Sequence, residues 1–86
     1  MRTPRQHRLA LAVARNLANC GGYLLPEDTL FATATGAVKP PASPAEVADT
    51  LGHLAAEHRI QSVHTETGRK YSLTDEGRAF VAAYAD

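Results

Sequence analysis

Residues 59–80, with the sequence RIQSVHTETGRKYSLTDEGRAF, restrict the fold more than any other part of this chain of 86 residues. Two runs of β-prone residues, RIQSVHTE and RKYSL, flank a turn at Thr67 and Gly68, where glycine is suited to a positive φ. Thr74 then provides an N-cap for a helix whose first turn carries two acids, as the helix dipole favours. The segment therefore predicts a β-hairpin that leads directly into a closing helix.

The alternation of side chains along the hairpin predicts which residues reach the core. Tyr71 and Leu73 lie two residues apart, so we expect both on the buried face. Ile60 and Val63 have opposite parity, which indicates an irregular start or a β-bulge in the first strand.

Two capping boxes predict helices in the first half of the chain. In TPRQ (residues 3–6) and SPAE (residues 43–46), a hydroxyl residue precedes Gln or Glu by three positions, and proline occupies the first helical position. The first box predicts a helix that ends at Gly21-Gly22, because glycine readily adopts the left-handed cap. The apolar stripe of this helix consists of Leu9, Val13, Leu17 and Cys20.

The second box predicts a helix from Ser43 to His58. Its core-facing stripe is predicted to be Val47, Leu51, Leu54, Ala55 and His58, and its outward face is predicted to be Asp49, Gly52, His53, Ala56 and Glu57. Between the boxes, YLLPEDTLFATATGAV predicts a short strand or extended turn, then a helix with Pro26 in its first turn and Gly36 at its end.

Length and composition indicate one domain, residues 1–86, of a soluble globular protein with 44% hydrophobic residues. A single cysteine rules out an internal disulfide and fits a reducing, cytoplasmic compartment. We expect no membrane span. The basic and apolar N-terminal segment resembles a signal peptide, but Arg15 and Asn16 interrupt its apolar run, so we interpret it as a helix.

Charge is unevenly distributed along a chain whose formal net charge is zero. Residues 1–22 carry four arginines and no acid, residues 23–58 carry one lysine and five acids, and residues 59–74 carry three basic residues and one acid. Overall neutrality argues against strong non-specific binding of nucleic acid. The two basic regions still allow a more focused contact.

The predicted order of helix, helix, helix, two-stranded hairpin and helix resembles the winged helix-turn-helix family over nearly the whole chain. The most specific part is GRKYSLTDEGRAF, which is similar to the second wing strand and following helix of PadR- and MarR-type regulators. The resemblance implies an α+β, mostly helical fold whose third helix enters the major groove and whose hairpin, the wing, touches phosphate or the minor groove. It thereby implies a small transcription regulator, bacterial or from a phage, with double-stranded DNA as its partner.

Three groups of residues are candidates for DNA contact. They are Thr67, Gly68, Arg69 and Lys70 in the wing; Arg2, Arg5 and Arg8 at the first helix; and Ser43, Asp49, His53 and Glu57 on the face of the third helix. Helices that read bases normally carry Arg, Lys, Gln, Ser or Asn on that face. Asp49 and Glu57 would instead repel the phosphate backbone.

This acidic face supports an alternative function, a winged-helix module that binds another protein and does not read DNA. A homodimer is a further expectation, because winged-helix regulators often pair through their terminal helices. We predict no metal site, since His53 and His58 are five residues apart and diverge on a helix. We also predict no cofactor and no enzymatic activity, because no serine has a nucleophile-like setting and no glycine-rich phosphate loop is present.

Overall fold

The computed structural model describes residues 3–20 and 24–84. The elements are α1 (Pro4–Ala18), β1 (Leu25–Pro26), α2 (Glu27–Thr35), α3 (Pro44–Ala56), β2 (Ile60–Thr65), β3 (Gly68–Leu73) and α4 (Asp75–Ala83). The three strands form one antiparallel sheet in the order β1-β3-β2. The fold is therefore α+β and mostly helical, as predicted.

Both predicted capping boxes are confirmed. The Thr3 hydroxyl accepts a hydrogen bond from the N–H of Gln6 at 3.1 Å, and Gln6 Oε1 accepts one from the N–H of Thr3 at 2.8 Å. Ser43 and Glu46 repeat this exchange at the start of α3, with distances of 3.2 and 3.1 Å. Each box satisfies backbone donors that a helix start leaves unpaired, so the local sequence sets where α1 and α3 begin.

The first helix ends at Ala18, with Asn19 as its C-cap. The predicted stop at Gly21-Gly22 lies outside the described residues. Cys20 follows the helix and is half-buried. The other members of the predicted stripe, Leu9, Val13 and Leu17, are buried.

Helix α3 ends at Ala56, two residues before the predicted end. The N–H of His58 donates to the carbonyl of Ala55 at 3.1 Å, and the N–H of Arg59 donates to the carbonyl of Leu54 at 2.9 Å. This pair of bonds, with His58 at φ 61°, is a Schellman cap. The prediction that Ala55 and His58 face the core is wrong, since both are exposed. The cap turns the chain away from the buried stripe before His58 can join it.

The short strand and second helix expected from YLLPEDTLFATATGAV are confirmed. Pro26 is the N-cap of α2 rather than its first helical residue, and Gly36 is the C-cap. In β1, Leu25 pairs with Tyr71 and Pro26 pairs with Lys70 of β3. The predicted two-stranded hairpin is present as β2 and β3, and β1 adds a third strand to its sheet.

Strands β2 and β3 pair in a regular ladder over all six residues of each strand. The predicted bulge is wrong, because no extra residue interrupts the pairing between residues 60–65 and 68–73. Ile60 is buried opposite Leu73, whereas Val63 lies on the other face of the sheet opposite Lys70. Tyr71 is buried and Leu73 packs against the core, as their shared parity predicts.

The core lies between α1, α2, α3 and the inner face of the sheet, and α4 closes it. The buried apolar residues come from every helix and from both hairpin strands: Leu9, Ala10, Val13, Ala14, Leu17, Leu30, Ala34, Val38, Ala42, Val47, Leu51, Leu54, Ile60, Tyr71 and Phe80. Alanine contributes four of them, which allows the helices to approach one another closely.

The start of α4 is fixed by contacts with the turn between α3 and β2. The N–H of Thr74 donates to the carbonyl of Arg59 at 3.1 Å, and the Thr74 hydroxyl donates to the carbonyl of His58. The same hydroxyl oxygen accepts from the N–H of Gly77 at 3.0 Å. A Cβ atom on Gly77 would lie 2.0 Å from the Arg59 carbonyl oxygen and 2.5 Å from Leu73 Cδ1. Only glycine fits this contact.

We expect Gly77→Ala to lower the free energy of unfolding by about 2–3 kcal/mol, because the Arg59 carbonyl cannot withdraw without disturbing the turn. Gly52 is a matched control within α3, where a Cβ atom meets nothing within 4 Å. Gly52→Ala should raise the free energy of unfolding by about 1 kcal/mol through helix propensity. Urea denaturation of both variants and the wild type measures the two changes. Equal stabilities for the two variants would contradict the packing described for Gly77.

Candidate functional site

The hairpin tip is held by hydrogen bonds among its own residues. The Thr65 hydroxyl donates to the carbonyl of Gly68 at 2.6 Å and lies 3.2 Å from the Thr67 hydroxyl. Gly68 has φ 114°, which confirms the prediction that the turn needs a positive φ there. Thr67 and Gly68, two of the predicted wing contacts, therefore shape the turn beside Arg69.

The two cations beside the hairpin tip, Arg69 and Lys70, point to opposite faces of the sheet. Residues directly across an antiparallel pair share a face, and successive residues alternate. Arg69 pairs with His64 and shares the face of Tyr71, whereas Lys70 pairs with Val63 on the other face. Because Arg69 and Lys70 are neighbours in one strand, their charges lie on opposite faces, although both were predicted to contact phosphate.

Arg69 borders a groove between α2, α3 and the hairpin, which we call the hairpin groove. Its volume is about 270 Å³. The α3 side consists of Ala48, Leu51, Gly52 and Ala55, and the opposite side carries Phe31, Ser62 and Tyr71. No Cβ fills the space above Gly52, since an added one meets nothing within 4 Å. The groove is therefore open above Gly52, largely apolar on its α3 side and bordered by aromatic rings.

Polar groups at the rim of the hairpin groove are organised around Tyr71. The Tyr71 hydroxyl donates to Glu27 Oε2 at 3.0 Å, a contact between β3 and the start of α2. Burial raises the pKa of Tyr71, the bond to Glu27 raises it further, and a hydrogen bond with Arg69 opposes both. The phenol therefore stays protonated, while the guanidinium of the exposed Arg69 is positioned at the rim.

The charged residues predicted for the outward face of α3 lie on the side of the helix that adjoins α1. Asp49 and His53 border a small cavity of about 60 Å³ together with Gln6, and His53 and Glu57 border a larger groove together with His7. The side of α3 that faces the hairpin instead carries small neutral residues. The hydroxyl of Ser43, the fourth predicted residue, accepts the hydrogen bond from the N–H of Glu46 that caps α3.

Two residues of the predicted basic arm, Arg5 and Arg8, have different surroundings. Arg5 Nε donates to Glu46 Oε2 at 2.8 Å, and Arg5 Nη2 donates to Glu46 Oε1 at 3.1 Å, so this arginine joins α1 to the capping box of α3. Arg8 is exposed on the side of α1 opposite its buried residues, and it therefore points away from the sheet against which α1 packs. Arg2 lies outside the described residues.

A second groove, of about 540 Å³, lies between the first turn of α1, the end of α3 and α4. The rings of His7, Phe80 and Tyr84 meet edge to face, with centroid separations of 5.9 Å (His7–Phe80), 4.5 Å (His7–Tyr84) and 5.5 Å (Phe80–Tyr84). The Arg59 guanidinium lies 4.1 Å from the Phe80 centroid and 3.6 Å from the carboxylate of Glu57. The ring contacts join α1 to α4, and the Arg59 guanidinium interacts with groups of the same chain.

Comparisons with known proteins assign no family: no protein-family model and no curated protein matches this chain. Among the described residues, no three His, Cys, Asp or Glu side chains converge on a point where they could hold a metal ion. None of the described helices is both long enough and apolar enough to cross a membrane.

Sequence reasoning found Arg69 but missed the groove beside it. Glu27 and Phe31 border this groove from α2, and neither was a candidate site residue. The parity of Tyr71 predicted its burial, yet its hydrogen bond to Glu27 joins residues 44 positions apart. The small residues Ala48 and Gly52 at spacing four on α3 are the one local signal that could have indicated this groove.

The ion pair of Arg5 and Glu46 predicts a specific dependence of stability on pH. The side chain of Arg5 and the N–H of Ser43 donate to the Glu46 carboxylate and lower its pKa from 4.5 to about 2. A group whose pKa is depressed by folding stabilises the fold above its unfolded-state value, and that contribution is lost as the pH falls through the folded-state value. We therefore expect Glu46→Gln to reduce the loss of stability between pH 4.5 and about 2.

Glutamine at position 46 retains an oxygen that accepts from Ser43, so the capping box survives while the charge is removed. Thermal unfolding of the wild type and Glu46→Gln over that pH range gives the difference directly. Glu66→Gln at the exposed hairpin tip is the matched control for the loss of one carboxylate. Identical pH profiles for the wild type and Glu46→Gln would show that the ion pair has no part in acid stability.

Proposed function

We propose that this chain is a winged-helix module that binds a protein partner through the hairpin groove. The element order, with three helices, a hairpin and a closing helix, is compatible with that arrangement. The observation that carries the proposal is the composition of the groove: small neutral residues on α3, the rings of Phe31 and Tyr71, and a single arginine, Arg69, at the rim. Protein interfaces are enriched in aromatic residues and arginine, and their centres are depleted of charge.

The distribution of cations supports a protein partner over DNA. Five of the described arginines have partners within the chain: Arg5 with Glu46, Arg15 with the carbonyl of Tyr84, Arg59 with Glu57, Arg78 with Asp75, and Arg69 with Tyr71. Arg69 and Lys70 point to opposite faces of the sheet, as the register shows. Affinity for duplex DNA depends on several cations that reach phosphates from one surface.

An amphipathic helix is the partner segment that best fits the hairpin groove. Ala48, Gly52 and Ala55 lie four and three residues apart, so they share one side of α3 and form a low surface that another helix can approach closely. Helix recognition in grooves of this kind uses apolar anchors at i, i+3 or i+4. An acidic residue beside those anchors would meet Arg69 at the rim.

Duplex DNA bound through the hairpin is the second candidate. It is favoured by the exposure of Arg69 next to the tip, with Lys70 half-exposed beside it. Because the two side chains diverge, this arrangement supports one or two phosphate contacts and no base reading by α3. A charge added to the hairpin-facing side of α3 separates the two candidates.

Gly52→Arg should have opposite effects on the two kinds of ligand. The fold tolerates the change, because nothing lies within 4 Å of a Cβ atom at this position. A bulky cation in the groove should abolish capture of a protein partner. If DNA is the ligand, the same cation adds a phosphate contact, so DNA should bind more tightly and the dependence of log affinity on log salt should steepen by about one.

The measurements are cross-linking and affinity capture from host lysate, together with titrations of mixed-sequence duplex DNA at two salt concentrations. Ala79→Arg adds the same charge on the exposed side of α4 and serves as the matched control. Loss of captured proteins in Gly52→Arg but not in Ala79→Arg supports the groove. Tighter DNA binding by Gly52→Arg, or capture that is insensitive to the change, contradicts the proposal.

A further inference from the structure

The free edge of strand β2 is a second candidate binding surface, and it goes beyond the function proposed for the hairpin groove. Strand β2 pairs with β3 along one side, and no described strand pairs with its other side. The opposite edge is β1, which has two residues and ends in Pro26, a residue without an N–H donor. Only the β2 edge therefore offers a continuous row of backbone groups within the described part of the sheet.

The register identifies the backbone groups that face outward along β2. Thr65 and Gly68 pair across a two-residue loop, and the pair that closes such a hairpin exchanges both hydrogen bonds. The bonds to β3 then alternate, so the N–H and C=O groups of Ser62 and His64 point away from β3. The pairing of Tyr71 with Leu25 on the other side of β3 agrees with this alternation.

The β2 edge lacks the features that normally protect edge strands from pairing. Its sequence, IQSVHT, contains no Lys, Arg, Asp, Glu or Pro, and its ladder is regular from end to end. Gln61, Ser62 and His64 are exposed, so the outer part of the strand is not covered by another element. Natural proteins block edges with charges, prolines or bulges, because an open edge is a template for another strand.

We propose that two copies of this chain pair through antiparallel β2 strands, with the two-fold axis at Ser62. This register places Ser62 opposite its own copy, Ile60 opposite His64 and Gln61 opposite Val63. Hydrogen-bonding residues of one strand then meet hydrogen-bonding residues of the other, and the inner faces of both sheets lie on the same side. A strand without formal charges meets no like charge when it pairs with itself.

The residues that flank β2 favour the antiparallel direction. Arg59 precedes the strand and Glu66 follows it. Antiparallel pairing therefore brings the glutamate end of one copy beside the arginine end of the other, whereas parallel pairing would bring like charges together. Arg59 retains 29% exposure of its side chain in addition to its contact with Glu57, so it is accessible to a carboxylate from the second copy.

Substitutions that place opposite charges at Ser62, on the proposed two-fold axis, test this register. Ser62→Lys and Ser62→Glu each place like charges opposite one another, and each should weaken the self-association constant by about fivefold or more. An equimolar mixture of the two variants should restore association, because Lys and Glu then face each other. Sedimentation velocity over a concentration series measures all three samples, with Ala79→Lys as a control of equal charge away from the edge.

Amide hydrogen exchange by NMR supplies a readout that does not depend on the variants. The N–H groups of Ser62 and His64 should gain protection as the wild-type concentration rises, whereas those of Gln61 and Val63, bonded to β3, should be protected throughout. A chain that stays monomeric at its highest soluble concentration overturns the proposal. The proposal is also overturned if the chain associates equally well in the wild type, in both Ser62 variants and in their mixture. Association would then proceed through another surface. Both measurements use the isolated chain and need no groove partner. Ser62 also borders the hairpin groove, so the exchange protection of the Ser62 and His64 amides in the wild type is the readout that reports on the edge alone.

Discussion

The contact of Thr74 and Gly77 with the turn before β2 is the constraint on which the rest of the fold depends. It ties the end of β3 and the start of α4 to the carbonyls of His58 and Arg59, which follow α3. Because Gly77 has no side chain, α4 approaches that turn within van der Waals distance. The same approach places Phe80 beneath the Arg59 guanidinium at 4.1 Å. One small residue thus sets the position of the hairpin, the closing helix and an arginine.

The alternation of side chains in the sheet decides which surface each cation of the hairpin reaches. Adjacent positions in a strand face opposite sides, so the sequence pair Arg69-Lys70 cannot present both cations to one flat surface. Arg69 is directed to the rim of the hairpin groove, where Tyr71 and Glu27 already form a polar contact. A basic dipeptide at a hairpin tip is therefore weaker evidence for phosphate binding than its composition indicates.

Features encoded by a few neighbouring residues could be predicted from the sequence. Both capping boxes, the glycine turn and the burial of Tyr71 depend on spacings of two to four residues, and all are present. The errors lie at the end of α3 and in β2, where the periodicity of the sequence does not decide which way a side chain points. His58 was expected in the core, but the cap that ends α3 turns it outward. The ion pair of Arg5 could not be predicted either, because its partner Glu46 lies 41 positions away in the sequence. The bulge in β2 was inferred from parity, which fails when a strand has apolar residues on both faces.

Several charged side chains form ion pairs within the chain, so the surfaces described above carry few unpaired charges with which to attract a ligand. A groove of about 270 Å³ holds only a few side chains, and one edge strand buries little area, so each surface alone supports weak binding. Ser62 borders the hairpin groove and lies at the proposed two-fold axis, which places the grooves of two paired copies side by side on one face of the joined sheet. A partner with two anchoring segments would then bind both grooves, and the second contact would form at a high effective concentration. Under the two proposals together, affinity would come from two weak contacts made at once rather than from a strong electrostatic field.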